Sequence, residues 1–382
     1  MEITAVEIDE FAFEQADVGT RPDGESVYEP GETAEGTSFV LSIHTDEGVT
    51  GQYRGQIFGA LTVPQVEHVA EDFLLGRNPL NREAIWFDLR RALRHTGHLG
   101  IGPIDIALWD LAGKKYGESV ATLLGGRMRE RVPAYASTTS GNPEYDTPST
   151  YADFARECRD RGYPAFKIHP LGDADRDVEI CRAVDDAVGD EMELMIDPSS
   201  CYRRYSDALK VGRVLDELDF AWYEDPLRDT GDSAYAMRRL TEELDTPILG
   251  LEHSRTEPFG AIDHLFEDAL DLVRVDAHLG GGLTGAMKTV HAVQSAGMDL
   301  EPHLGGAAHL HLLSAVPNAG YFEHGLVHPE LGFEWTNNVG YETPIEVVDD
   351  DGHVAVPEGP GLGVDIDWDF VEANRTRHVV VD

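Results

Sequence analysis

Lysine is what this sequence most nearly goes without. Only 5 of its 30 basic residues are lysine, and those 30 face 71 acidic residues, for a formal net charge of −41. A field of that sign repels phosphate backbones and anionic lipid, which excludes nucleic acid and membrane surfaces as partners. Cysteine is nearly as scarce. Cys158, Cys181 and Cys201 show no CxxC or paired spacing, which argues against a disulfide framework and suits a reducing cytoplasm. No apolar stretch approaches the ~20 residues of a membrane span and no signal-peptide pattern is present, so the expected location is cytoplasmic. The phosphate-loop signatures are missing too, with no GK[ST] after a glycine-rich run and no GxGxxG after the first strand. The hydrophobic fraction of 41 % is enough for a core, which argues against disorder, and 382 residues exceed one small core.

Three isolated acids stand out against that background. Asp197, Glu224 and Glu252 follow one another at 27 and 28 residues, each closing a short apolar run: Glu193–Ile196, Phe220–Tyr223 and Pro247–Leu251. The runs read as buried strands, and a strand–loop–helix–loop unit takes roughly 25 to 30 residues, so the acids are predicted at the C-terminal ends of successive parallel strands, where a (β/α)8 barrel puts its chemistry. Three converging carboxylates suit a hard divalent cation, Mg2+ first and Mn2+ second, and no Cys/His set argues for zinc. Any one of them alone reads as a solvated loop residue; three in phase do not.

The first 45 residues alternate apolar and polar (Ile3, Ala5, Val6, Ile8; Phe39, Leu41, Ile43) around a Gly/Pro/Glu-rich stretch at Thr20–Thr37. This predicts antiparallel strands joined by a long loop, with Asp17–Thr37 as a lid over a polar or anionic substrate. Helical patterning from Val63 to Gly117 ends with Ile104, Ala107, Leu108 and Leu111 on one face. Eight strand–helix units follow, with strands at 132–136, 165–169, 194–197, 221–224, 248–252, 272–276, 298–303 and 320–323. The expected fold class is α/β: a modified (β/α)8 TIM barrel at residues 129–334, preceded by an α+β capping domain at 1–128 and followed by a segment at 335–382 that packs back on the cap.

Every strand but the first ends on a residue able to do chemistry. Lys167 and His169, two apart on the second strand, share one face. The sixth supplies Asp276, the seventh His303 and the eighth Glu323. An Asp276 carboxylate bonded to one nitrogen of His303 would orient the ring and raise its basicity. The glycine-rich run after Asp276, which enters a helix, is a candidate cradle for a substrate carboxylate.

Taken together these residues resemble the enolase superfamily and, within it, the mandelate racemase/muconate lactonizing enzyme type. The likeness spans essentially the whole chain, including Gly-Pro-Ile-Asp-Ile-Ala-Leu-Trp-Asp-Leu-Ala-Gly113, Trp-Tyr-Glu-Asp-Pro226 and Asp276 ahead of Gly-Gly-Gly. The resemblance implies removal of the proton alpha to a carboxylate, giving an enediolate stabilised by Mg2+, then racemisation, cycloisomerisation or loss of a beta hydroxyl. It implies Asp197, Glu224 and Glu252 as Mg2+ ligands, Lys167 polarising the substrate carboxylate, and His303 oriented by Asp276 as an acid/base. Glu323 is implied as a donor to the enediolate, for which it must be protonated, a state its acidic neighbours favour.

Two positions depart from the family pattern: Lys-x-Lys is here Lys167-Ile-His169, and the Asn two after the first ligand is Ser199. An unperturbed imidazole is mostly neutral at pH 7, so a histidine needs no large shift to act as a base. Its reach is shorter than a lysine's, which disfavours a racemase. The expected activity is therefore that of an acid-sugar dehydratase giving a 2-keto-3-deoxy acid. His303, or in second place His169, takes the alpha proton, and a protonated histidine assists departure of the beta hydroxyl. The alternatives are a racemase, epimerase or cycloisomerase on a related hydroxy acid and, in another class, a catalytically silent metal-binding barrel. Ser199, Tyr28, Tyr53 and Arg54 are candidate substrate contacts. The expected partner is a small-molecule sugar acid, and the chain is expected to form a homo-oligomer. Its acid-rich, lysine-poor composition predicts a halophile's protein, in which concentrated cations screen the repulsion.

Overall fold

Alternating apolar residues carry two long strands out of the N-terminus, β1 (Ile3–Thr20) and β2 (Ser26–Thr45), which form an antiparallel sheet with β3 (Thr50–Arg54). The computed structural model describes residues 1–22, 24–55, 59–228, 231–252, 258–333 and 338–382. Asp23, inside the expected lid, and the expected boundary at 334–335 lie outside the described residues. The stretch expected to be a long loop is instead a ladder. β1 and β2 stay paired out to Thr20 and Ser26, and Arg21 N bonds Glu25 O at 2.8 Å to close the tip. Apolar alternation fades there because the ribbon projects beyond the core, with most of residues 12–17 and 28–37 exposed or half-buried.

Helices α1 (Gly59–Phe73), α2 (Arg82–Ala92), α3 (Ile101–Tyr116) and the short α4 (Val120–Leu124) follow. Ile104, Ala107, Leu108 and Leu111 are buried as their spacing predicts, and so are Asp105 and Asp110, because α3 lies between the cap sheet and the second domain. Among the described residues that domain has eight parallel strands: β4 (Arg131–Thr138), β5 (Ala165–Ile168), β6 (Glu193–Ile196), β7 (Trp222–Glu224), β8 (Ile248–Gly250), β9 (Leu272–Val275), β10 (Asp299–Pro302) and β11 (Phe322–Val327). The connecting helices are α5 (Pro148–Asp160), α6 (Ala174–Val188), α7 (Tyr205–Leu218), α8 (Ala234–Glu243), α9 (Phe259–Phe266), α10 (Gly282–Ser295) and α11 (Ala307–Ala315). The sheet order is β10-β9-β8-β7-β6-β5-β4-β11, and a Leu300–Ala319 bridge brings its two ends together.

Residues two apart on a strand face the same way. Ala165, Met195 and Trp222 lie two before Lys167, Asp197 and Glu224, and with Tyr135 and Leu249 they form a separate buried cluster. That plug sits under the mouth of the curled sheet. In the tail, β12 (His353–Ala355) pairs with β4, while α12 (Trp368–Ala373) leads into β13 (Arg375–Val381), which pairs with β1. Among the described residues no helix is long and apolar enough to cross a membrane.

The cap is fastened to the glycine-rich run that follows Asp276. Trp86 Nε1 donates to Gly281 O at 2.7 Å, Trp109 Nε1 to Thr284 Oγ1 at 3.0 Å, and Thr284 N to Asp105 Oδ2 at 2.8 Å. Gly282 has φ of 81°, and a Cβ there would lie 2.2 Å from Asp105 Oδ2. These glycines therefore permit close packing of cap on barrel, a different use from the carboxylate cradle expected of them.

Candidate active site

Each metal-ligand candidate arrives on its own strand. Asp197 follows β6, Glu224 ends β7 and Glu252 follows β8 by two residues, so parallel pairing delivers all three to one end of the sheet. One carboxylate oxygen from each lies within 4.8 Å of the others, and all three residues are buried. Glu252 is held there by Asp225, a neighbour that sequence reasoning missed. Asp225 accepts from Leu251 N at 3.2 Å and Glu252 N at 3.0 Å. It thereby steadies Leu251 at φ of 84°, a conformation costing a non-glycine residue about 1–3 kcal/mol.

Lys167 is fully buried, with Nζ at 2.9 Å from Glu224, 3.3 Å from Asp197 and 2.7 Å from Glu323. Burial works against its charge, but Glu224 and Glu323 outweigh that and hold it well above the ordinary lysine range. Lys167 is therefore a fixed cation. Sequence reasoning missed a second fixed cation: Arg274, buried on β9, reaches Glu224 at 2.6 Å, Glu323 at 2.7 Å and Tyr135 Oη at 3.0 Å. The signal is present, since a charged residue inside the apolar run Leu272-Val-Arg-Val275, two before Asp276, faces inward.

Arg274 also overturns the expected protonation of Glu323. That carboxylate accepts from Ser137 Oγ at 2.8 Å, Arg274 at 2.7 Å and Leu304 N at 2.7 Å, besides pairing with Lys167. Burial alone would raise its pKa, but Lys167 and Arg274 hold it well below the usual range. Counting only acidic neighbours gives the wrong sign. Glu323 is an ionised acceptor filled by four donors, a different state from the proton donor expected.

The two histidines stand at the two ends of the carboxylate triad. His303 Nδ1 lies 2.6 Å from Asp276 Oδ2, and its Nε2 lies 3.2 Å from Glu252. Burial opposes a charged ring, yet Glu252 and Asp276 prevail and raise His303 to about 9. Asp276 is positioned in turn by its own loop, with Oδ1 accepting from His278 N at 2.5 Å and Leu279 N at 2.9 Å. At the other end His169 Nδ1 lies 2.7 Å from the Thr138 carbonyl, which fixes that nitrogen as the N–H. Nε2 then points at Asp197 Oδ2, 3.2 Å away.

The candidate substrate contacts divide. Ser199 lines a small cavity with His169 and Asp197, and its amide donates to Asp197 Oδ1 at 2.7 Å. Tyr28 instead lines a neighbouring cavity of about 200 Å³ and stacks on His328 at 4.5 Å. Tyr53 is buried with its hydroxyl 2.7 Å from His278 Nδ1, so it braces the loop carrying Asp276. Arg54 is buried, its guanidinium 5.8 Å from the Tyr341 ring.

The ionic balance of the site is one-sided. Five buried carboxylates, Asp197, Glu224, Glu252, Asp276 and Glu323, face the two fixed cations Lys167 and Arg274. Burial pushes Glu224 well above the usual carboxylate range, and Asp197 and Glu252 add to that push against Arg274 and Lys167. Buried charges persist only when paired or coordinated. An all-oxygen donor set with surplus negative charge fits a hard divalent cation.

Known proteins resemble this chain along most of its length. Residues 150–370 match the family described as Enolase C-terminal domain-like, and residues 21–125 match the Mandelate racemase / muconate lactonizing enzyme, N-terminal domain. D-galactarolactone cycloisomerase of Agrobacterium fabrum is 32 % identical over 88 % of this chain and 90 % of its own. Arabinonate dehydratase of Saccharolobus solfataricus is 28 % identical over 85 % of this chain and 87 % of its own. Among solved structures, D-glucarate dehydratase from Agrobacterium tumefaciens, complexed with magnesium, superposes with a TM-score of 0.88 at 32 % identity, covering 99 % of this chain and 100 % of that one.

Proposed function

The chain belongs to the enolase superfamily, in its mandelate racemase/muconate lactonizing enzyme branch, and on that premise we propose that it is an acid-sugar dehydratase. The observation that carries the reading is a carboxylate triad flanked by His303 with Asp276 at one end and His169 at the other. Asp197, Glu224 and Glu252 would hold Mg2+, which when bound supplies positive charge to a substrate carboxylate whose alpha proton is being removed. Lys167, kept cationic by Glu224 and Glu323, meets the same carboxylate. His303 presents Nε2 to the alpha proton while Asp276 bonds Nδ1 and stabilises the imidazolium. His169, its Nδ1–H bonded to the Thr138 carbonyl, acts in its protonated form and gives the Nε2 proton to the departing beta hydroxyl. The Cα–H and Cβ–O bonds break, water leaves, and the enol ketonises to a 2-keto-3-deoxy acid.

A second reading, cycloisomerisation, is favoured by the relative of 32 % identity that bears that name. Product mass separates the two, since cycloisomerisation conserves it and dehydration loses water. The test is turnover of a panel of aldonic and aldaric acids in molar KCl with Mg2+, read as 2-keto acid, for the wild type and Glu224→Gln. The wild type should give a keto acid and a Mg2+-dependent rise in Tm. Glu224→Gln should keep its fold and lose both, because one of three anionic ligands is gone. Full activity after exhaustive chelation contradicts the proposal.

A further inference from the structure

The tip of the β1–β2 hairpin reaches the mouth of the sheet and docks there. Asn142 Nδ2 donates to Tyr28 O at 2.9 Å, Ser140 Oγ to Glu25 Oε2 at 3.2 Å, and the Arg21 guanidinium to Gly141 O at 3.5 Å. Arg21 N donates to Glu25 O at 2.8 Å and Gly24 N to Arg21 O at 2.9 Å. Arg21 and Glu25 thereby line one cavity with His169, Asp197 and Ser199. In a chain with 30 basic residues against 71 acidic ones, a cation at this position is conspicuous.

We propose that Arg21 binds the distal carboxylate of the substrate, so that this site prefers dicarboxylic (aldaric) sugar acids to the monocarboxylic (aldonic) acids of the same configuration. The inference rests on the acid-sugar reading above and names its substrate class. Two cations then take the two ends of a dianion, Lys167 at the reacting carboxylate and Arg21 at the far one. A guanidinium presents a fork of N–H donors that a carboxylate matches with two parallel bonds, whereas a terminal hydroxymethyl offers no charge to meet it. Glu25, steadied by Ser140, is an acceptor for hydroxyls between those ends. With the tip docked the cavity is small, about 20 Å³, room for about one water.

The test measures kcat/KM on matched pairs, galactarate with galactonate and glucarate with gluconate, for the wild type, Arg21→Gln and Arg21→Lys, after circular dichroism has verified each fold. The wild type should favour the diacid of a pair. Arg21→Gln should cut the diacid-to-monoacid ratio by about 10- to 100-fold, mainly through KM, as expected for a charge-assisted hydrogen-bonded pair. Arg21→Lys should recover part of that ratio. A wild-type preference for monoacids, or an equal loss on both members of a pair in Arg21→Gln, overturns the proposal and leaves the dehydratase reading standing. If no sugar acid is turned over or exchanges its alpha proton, both fall together.

Discussion

At the scale of single residues, an acid that closes an apolar run is plain in the sequence, while Arg274, a charge set within such a run, is easily passed over. Asp197, Glu224 and Glu252 are visible because each closes an apolar run and the three recur at one repeat length. Asp276 and His303 are visible because they end the next two strands in the same phase. Arg274 is hidden in the middle of its strand, and without it the state of Glu323 comes out reversed. A pH prediction belongs here. His303 must be neutral to accept a proton, and Glu252 and Asp276 raise its pKa to about 9 against burial. Loading Glu252 with a divalent cation removes much of its pull on the ring. The acid limb of kcat/KM should therefore lie between the unperturbed ~6.5 and 9, with activity rising as pH rises through it. Asp276→Asn, which removes the other upward pull, should move the limb to lower pH. A limb below pH 6 in the wild type contradicts this assignment.

At the scale of elements, the period-2 and strand–helix patterns locate all eight parallel strands, and the spacing of apolar residues picks out the buried face of α3. The stretch Thr20–Thr37 reads as a loop because pairing between two polar strands leaves no hydrophobic trace in either. The glycine run after Asp276 reads as a cradle because its partners, Trp86 and Asp105, lie 195 and 179 residues away and nothing local announces them. Gly282→Ala should show which use is right. Its positive φ and the 2.2 Å approach to Asp105 together should cost at least about 2 kcal/mol. Thermal unfolding at fixed salt measures that cost, and a Tm unchanged from the wild type would mean that the packing is not tight.

At the scale of the whole molecule, charge decides the conditions under which the fold exists. Thirty basic residues cannot neutralise 71 acidic ones, and exposed pairs such as Arg131 with Asp349 and Asp351 are screened by solvent and contribute little. Screening must supply the rest. The protein should lose structure as KCl falls from molar levels, where the screening length is about 3 Å, toward 0.1 M, where it is about 10 Å. A thermal midpoint independent of KCl would remove this account of the composition.

The central claim, that this chain takes the proton alpha to a carboxylate with His303, is tested most directly by following that proton. A turned-over sugar acid in deuterated buffer, with Mg2+ and molar KCl, is observed by proton NMR with the wild type, His303→Asn and His169→Asn. The account predicts exchange and dehydration with the wild type and loss of both in His303→Asn, by the roughly 100- to 10,000-fold that a general base contributes. It predicts slowed dehydration with residual exchange in His169→Asn. Exchange that survives in His303→Asn and vanishes in His169→Asn would contradict it, moving the base to β5 and the attack to the other face of the carbon.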